Sequence, residues 1–375
     1  MDFAAFLLFN IVLISIRRCQ AKQRSDEELV KEITSGAYDK LERPNTGQLD
    51  AEVVVSLRIE IRALQEVDER NQEIALDVCF RSTWYDNRLR FPFDELKDEV
   101  SVQKENYSNI WYPGIFFPSA TSVQNSHTKD TYLKINANGK VWLQERIQLT
   151  LRCNFNYTSF PFDKQECQIK AQPFLYTVNK VLLAPLADPE AFEVRRHSDD
   201  GHKKFNITEL AVRPCSANFS SVDRHCLAFH MRFKRILSQC ILYSFIPPGL
   251  LTVLGYMTFF LSHPVSNIRA LLLTIIALLV CVHSAGVYLS LDIPDLPYLT
   301  AFDVWLAICI VLISLAFGTF FIVGRLCAKP HGLELPMDTK RVRCGLMLDF
   351  VLRIIYPFLT TAAFLGYFFM FIHMT

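Results

Sequence analysis

An extracellular β-sandwich followed by a bundle of four membrane-crossing helices is the fold class this sequence predicts. It is an all-β domain joined to an α-helical membrane domain. Three observations predict it: strand-like runs with turn signals fill the first part, four Asn-x-Ser/Thr sequons all precede residue 235, and four long apolar runs fill the last third. The 375 residues are 51% hydrophobic, which is high for a soluble protein. A formal net charge of +1 gives no basis for a nucleic-acid partner.

The elements follow in order. Phe3 to Ile16 is almost wholly apolar and uncharged, and is followed by Arg17, Arg18 and the small Ala21, which reads as a signal peptide over 1–21. Ser25 to Ser35 reads as a helix, with Ser25 as its cap and Glu28 three residues on. Next come "AEVVVSLRIEIRAL", "IALDVCFRSTWYD" and "KVWLQERIQLTLRC", rich in β-branched and aromatic residues and separated by turn signals such as "NANGK". Closely spaced strands without long helical periods argue for a sandwich over 22–236. Period-two alternation on "DVCFRSTW" turns Arg81 away from the face of Val78, Phe80 and Trp84, where a planar guanidinium can hold a carboxylate through two parallel hydrogen bonds. A solvated surface charge is the plain alternative.

Cys153 and Cys167 flank "NFNYTSFPFDKQE", and a bridge between them would close a ring of about fifteen residues, for which loop-closure entropy suggests about 3 kcal/mol. Such a bridge persists only in an exported domain. The sequons at Asn106, Asn156, Asn206 and Asn218 make these asparagines candidate glycosylation sites on that same half.

The membrane domain is read over 237–375, with spans at about 238–261, 268–291, 302–324 and 349–372. Each is long enough to cross about 30 Å of hydrocarbon at a rise of about 1.5 Å per residue. Buried core helices are the alternative, and four nearly uncharged runs of this length rarely coexist in a soluble domain. The third link, 325–348, carries Arg325, Lys329, Lys340, Arg341 and Arg343, whereas the second, "DIPDLP", holds only acids. The positive-inside rule therefore places 325–348 in the cytoplasm and the amino-terminal half outside. In the second span Leu271, Ile275, Leu278 and Val282 recur at four, three and four residues, one helical face. No nucleophile–base pair or metal-ligand constellation appears, so no catalytic residue, metal, cofactor or enzymatic activity is expected.

The "FPFD" ring, four spans with a proline in the first, and the ordered series "WYDNRL", "IWYPGIFF", "NGKVWLQER" and "RFKR" resemble the Cys-loop pentameric ligand-gated ion channels. The resemblance covers the chain from about residue 50 to 372, and is greatest to the glycine-, GABA- and glutamate-gated chloride branch. It implies a homo- or hetero-pentamer in the plasma membrane, at a postsynaptic site, opened by a small neurotransmitter-like agonist. It also implies a second bridge, Cys215 to Cys226, closing a flap over the ligand, two unpaired thiols being the alternative.

The site residues follow from the same resemblance. Arg81 would meet the acid end of the agonist with Arg146 nearby, and Tyr112, Phe116, Phe174, Tyr176, Phe219 and Ser221 would surround the rest. Three positions depart from the pattern: Gly114 replaces an aspartate, Gln172 a glutamate and Arg224 an aromatic residue. The stripe Leu271, Ile275, Leu278 and Val282 would face the pore, with Leu278 as the gate and Arg269 forming an anion-selecting ring. Leu271 and Ile275 stand where small or hydroxyl side chains are usual, and the proline-alanine pair before the arginine is missing. A cation-selective channel and an accessory subunit that conducts only in heteromers remain as alternatives. Gating would run through the ring, whose tip is expected against the outer link 292–297, with Asp163, Arg235, Asp292 and Pro294 as coupling residues.

Overall fold

The computed structural model describes residues 25–36, 38–44, 52–92, 98–125, 131–186, 191–195, 204–216, 224–261, 266–291, 294, 296–327 and 339–373. The signal-peptide reading, Phe219, Ser221, Asn218 and Asp292 lie outside them.

A short helix, Asp26–Thr34, starts where Ser25 Oγ accepts the Glu28 N–H at 3.2 Å, satisfying one donor that the first turn leaves free. Twelve described strands follow: β1 Val53–Asp68, β2 Glu73–Tyr85, β3 Glu99–Val102, β4 Ile115–Phe116, β5 Ala120–Asn125, β6 Tyr132–Asn136, β7 Lys140–Arg152, β8 Lys164–Pro173, β9 Val181–Pro185, β10 Phe192–Val194, β11 Phe205–Ser216 and β12 His225–Arg235. One sheet runs β10-β1-β2-β7-β6-β3, with β9 added on β1 and β5 on β7; the other runs β11-β12-β8-β4. The two sheets enclose a core of Leu57, Ile59, Leu76, Val78, Phe80, Ile147, Leu149, Ile169, Phe229 and Met231. Phe192 of the first sheet meets Phe229 of the second at 5.4 Å between ring centroids. Alternation puts these residues on one face of each strand and leaves the other face free to carry polar groups.

The quoted motifs have local physical reasons. The buried Asp86 carboxylate of "WYDNRL" accepts from Arg88 Nε at 2.9 Å and Nη2 at 2.8 Å. The Tyr38 hydroxyl donates to Asp86 at 3.3 Å and accepts the Trp111 N–H of "IWYP" at 2.9 Å. Burial is the main cause that pushes the Tyr38 hydroxyl up to about 12. In "NANGK", Gly139 adopts φ +82°, and a Cβ there would sit 2.5 Å from the Asp86 carbonyl oxygen, so only glycine closes this turn.

Four helices are long and apolar enough to cross a membrane: Ile241–Phe260, Asn267–Ser290, Ala301–Cys327 and Val342–Phe371. Because Pro247 and Pro248 offer no N–H, the first span opens with a π turn, Ile241–Phe245, before regular helix resumes at Ile246–Met257. The fourth helix begins at Thr339, inside the stretch read as a link, and takes in Lys340 and Arg343. Gly345 lets it approach the end of the third span: a Cβ there would lie 2.9 Å from Cys327 Sγ.

Candidate functional sites: agonist face, coupling ring and pore helix

Cross-strand register builds the candidate agonist face. Arg58, Arg81, Gln144 and Tyr132 stand side by side on β1, β2, β7 and β6, on one face of the sheet. The Gln144 amide oxygen receives Arg81 Nε at 3.1 Å, Arg81 Nη2 at 2.6 Å and the Tyr132 hydroxyl at 2.8 Å. Arg81 Nη2 also donates to the Tyr132 oxygen at 3.1 Å. Both partners are neutral, so among the described residues the half-exposed Arg81 guanidinium keeps an uncompensated charge. Arg58, beside it, is paired with Glu193.

Arg146 is placed differently. It stands opposite Cys79, one step along from Arg81, and its Nη2 meets the buried Asp77 carboxylate at 2.6 Å, with Nε at 3.0 Å from the second oxygen. Its charge is already answered by Asp77, on the same β2 strand as Arg81. Gln144, Tyr132 and Asp77 did not stand out in the sequence, because a polar residue on an exposed strand face is ordinary until register shows what it faces.

The aromatic candidates gather at the edge of the second sheet. β4 pairs with β8, bringing Phe116 to Phe174 in an edge-to-face contact at 5.5 Å. The Phe174 N–H donates to the Gly114 carbonyl at 2.8 Å, and Gly114 itself holds φ +62°. Phe174 and Tyr112 are exposed, whereas Tyr176 is tied down: its hydroxyl accepts Trp111 Nε1 at 3.0 Å. The inward Glu145 of β7 has its carboxyl raised above the ordinary range by burial. Cys215 and Cys226 are bridged directly across β11 and β12, forming the base of the flap, and Arg224 beside them is half-exposed. Arg81 and the Phe116–Phe174 pair thus belong to different sheets.

The second bridge, Cys153–Cys167, closes the small ring at the membrane side. Within it Asp163 is buried and accepts Arg235 Nε at 2.9 Å, while Arg235 Nη2 meets Glu69 at 2.6 Å. The rings of Phe205 and Phe160 lie 4.4 and 4.8 Å from the Arg235 guanidinium carbon. Burial alone would lower the Arg235 pKa, but hydrogen bonds and charges from Glu69 and Asp163 outweigh it and raise it. Glu69 is the member that sequence reading missed; its signal was an acid in the "VDER" turn between two long strands.

The ring makes direct contact with the membrane domain. Its Thr158 carbonyl accepts the Ala301 N–H at 2.9 Å, and the Tyr157 N–H donates to the Tyr298 hydroxyl at 3.1 Å. Phe160 meets Phe302 at 6.4 Å and Phe162 meets Phe245 at 6.2 Å. These partners lie at the start of the third span and in the first; of the expected 292–297 stretch, Pro294 is half-buried, and 292, 293 and 295 lie outside the described residues. The cause is the third span's amino terminus, whose N–H groups have no partner within the helix and take an acceptor from the ring.

On the second span, Leu271, Ile275, Leu278 and Val282 form an exposed stripe, with Leu278 at 65% exposure. Arg269 is not on it. It is 6% exposed, donates to Asp349 of the fourth span at 3.0 Å and lies over the Phe259 ring at 4.4 Å. The reason is helical geometry: at about 100° per residue, nine residues from Leu278 bring position 269 to about the opposite face. The nearby hydroxyls are also spent locally, Thr274 on the Ala270 carbonyl at 2.7 Å and Ser284 on that of Cys281 at 2.8 Å. Among the described sequons, Asn156 and Asn206 are exposed and Asn106 is half-exposed.

The two arginines should part company on substitution. Arg146→Ala strands the buried Asp77 charge and is expected to cost about 1–3 kcal/mol, below the cost for a fully buried pair because Arg146 is about one-third exposed. Arg81→Ala leaves only neutral partners. Thermal unfolding of the detergent-purified chain should show a lowered midpoint for the first variant and an unchanged one for the second.

Residues 26–236, more than half of the chain, match the family described as neurotransmitter-gated ion-channel ligand binding domain. The chain is similar to a glutamate-gated chloride channel of Drosophila melanogaster, 25% identical over 308 residues that cover 81% of this chain and 66% of that protein. It is 28% identical over 287 residues to a gamma-aminobutyric acid receptor subunit beta of Caenorhabditis elegans, covering 74% of this chain and 50% of the relative. With gamma-aminobutyric acid receptor subunit beta-4 of Gallus gallus the identity is 24% over 299 residues, covering 77% and 58%. The chain thus spans from half to just under two-thirds of the length of these relatives. A sheet-rich domain ahead of four candidate spans, together with the matched segment, establishes that the chain belongs to the neurotransmitter-gated ion-channel family.

Proposed function

We propose that this chain is a subunit of a pentameric, agonist-gated, anion-selective channel of the plasma membrane, with its amino-terminal domain outside and a postsynaptic role. The observation that carries the agonist reading is Arg81, a half-exposed guanidinium with neutral partners, beside an Arg58 that is paired with Glu193. An amino-acid-like agonist, with a carboxylate for Arg81 and an amine for the faces of Phe116 and Phe174, fits these groups. Tyr112, Tyr176, Phe219, Ser221 and Arg146 complete the candidate set. Since Arg81 and the aromatic pair belong to different sheets, a small agonist would meet both across a boundary between neighbouring subunits. The relatives named for glutamate and gamma-aminobutyric acid support a ligand with both groups.

Anion selectivity draws support from the relative named as a chloride channel and from a second-span amino terminus, "SNIR", without acids. With Arg269 withdrawn, the positive field there comes from the helix termini and from two arginines that share one carboxylate. One observation favours the second reading, a subunit that conducts only in heteromers. The exposed stripe from Leu271 to Val282 has no polar side chain, and five copies would make a channel that water leaves.

Arg81→Ala is expected to weaken a carboxylate-bearing agonist by about 2–5 kcal/mol in binding or activation midpoint. A strong response to a carboxylate-free amine, unchanged in Arg81→Ala, contradicts the agonist reading. Leu278→Ser should hydrate the girdle and give spontaneous current or a lower activation midpoint in whichever assembly conducts. Normal surface density with neither change would remove Leu278 from the pore.

A further inference from the structure

At the end of the membrane domain farthest from the ligand domain, the spans of one chain gather two guanidiniums around one carboxylate. Arg269 donates to one Asp349 oxygen at 3.0 Å, and Arg353, one turn along the fourth helix, donates to the other at 3.0 Å. Asp349 is the sole acid among the described residues of 320–353, and exposed Arg325 and Arg343 lie on the third and fourth spans. The three-residue cluster therefore carries a formal charge of +1.

Its donors outnumber its acceptors. Arg269 Nε and Nη2 and Arg353 Nε are buried with no hydrogen-bond partner. The walls are aromatic: Phe259 lies 4.4 Å and Phe320 5.9 Å from Arg269, and Phe260 lies 5.7 Å from Arg353. Ring faces attract a cation but accept no hydrogen bond of ordinary strength, so the N–H groups remain unanswered. What would complete the cluster is an anion with several acceptor oxygens. Access exists on one side, since the Arg353 side chain is 33% exposed on the fourth span.

We propose that this cluster is a site for a phosphate group, supplied by an anionic phospholipid of the leaflet opposite the ligand domain. A phosphate there takes Arg353 as its first contact and competes with Asp349 for the two guanidiniums. The level suits a headgroup, because the cluster sits at the amino-terminal end of the second span and in the amino-terminal part of the fourth, the helix that also carries Lys340 and Arg343. The inference depends on the four spans crossing a membrane and is independent of the agonist.

Native mass spectrometry of the full chain in neutral detergent tests it, with phosphatidylserine and phosphatidylcholine added together. The wild type should retain the anionic lipid about fivefold better, the scale of one arginine contact at a membrane surface. Arg353→Gln should lose most of that preference. Asp349→Asn removes the competing carboxylate and should raise it, a sign that general damage to the bundle would not produce. Equal retention of the two lipids, or a fall in both variants, overturns the site. Persistence of the lipid in excess inorganic phosphate supports the lipid as occupant, whereas its displacement overturns that source and assigns the site to the free anion.

Discussion

The junction between the two halves of this molecule is organised around the Arg235 guanidinium. Asp163 and Glu69 hold its edges, Phe160 and Phe205 flank it, and its side chain is 2% exposed. Such a cation is tolerable in the interior only because every strong demand on it is met, and losing one carboxylate would leave the rest buried and unbalanced. The three ionic partners come from distant parts of the chain: the β1–β2 turn, the disulfide ring and the end of β12. β12 runs on into the first span and the ring touches the third, so in the proposed channel a shift of the ligand domain that moves Arg235 would move the membrane helices as well. On the proposed function, the stabilisation of an open pore would come from the difference in agonist affinity between two arrangements of this junction.

Much of this was legible in the sequence, where a local rule decides the outcome. Ser25 and Glu28 mark a helix start, "NANGK" a turn that needs glycine, and four apolar runs the spans. The start of the fourth helix was set too late, because basic residues were taken as a link although helical hydrogen bonding tolerates them. The harder cases depend on pairing across distance. Gln144 beside Arg81, Asp77 against Arg146 and Glu69 against Arg235 are all polar residues whose partners lie far along the chain. Arg269 is different in kind: its separation from Leu278 already assigns it to the other side of the helix, so the information was present and the family pattern obscured it.

The withdrawal of Arg269 also joins two features of the membrane domain that are separate in sequence. By pairing with Asp349, it fastens the start of the second span to the fourth and removes charge from the apolar stripe. With Thr274 and Ser284 satisfied by their own helix backbone, the stripe is left to Leu, Ile and Val. The upper end of the bundle is held by aromatic packing instead, with Phe245 meeting Phe302, Trp305 and Tyr367 at 5.4, 5.7 and 6.2 Å. The second span is therefore fixed by an ion pair at one end and reached by the ring's neighbours at the other, an arrangement suited to tilting about its inner end.

The most direct measurement is a double-mutant cycle on Asp163→Asn and Arg235→Gln, read as the agonist activation midpoint of surface receptors in the assembly that conducts. If the buried pair transmits the agonist's effect, the two substitutions are strongly non-additive, with a coupling of about 1.5 kcal/mol or more, the lower bound for close charge pairs. Additive effects in receptors that bind agonist and reach the surface would contradict the account, because Arg235 and Asp163 would then act through separate contacts.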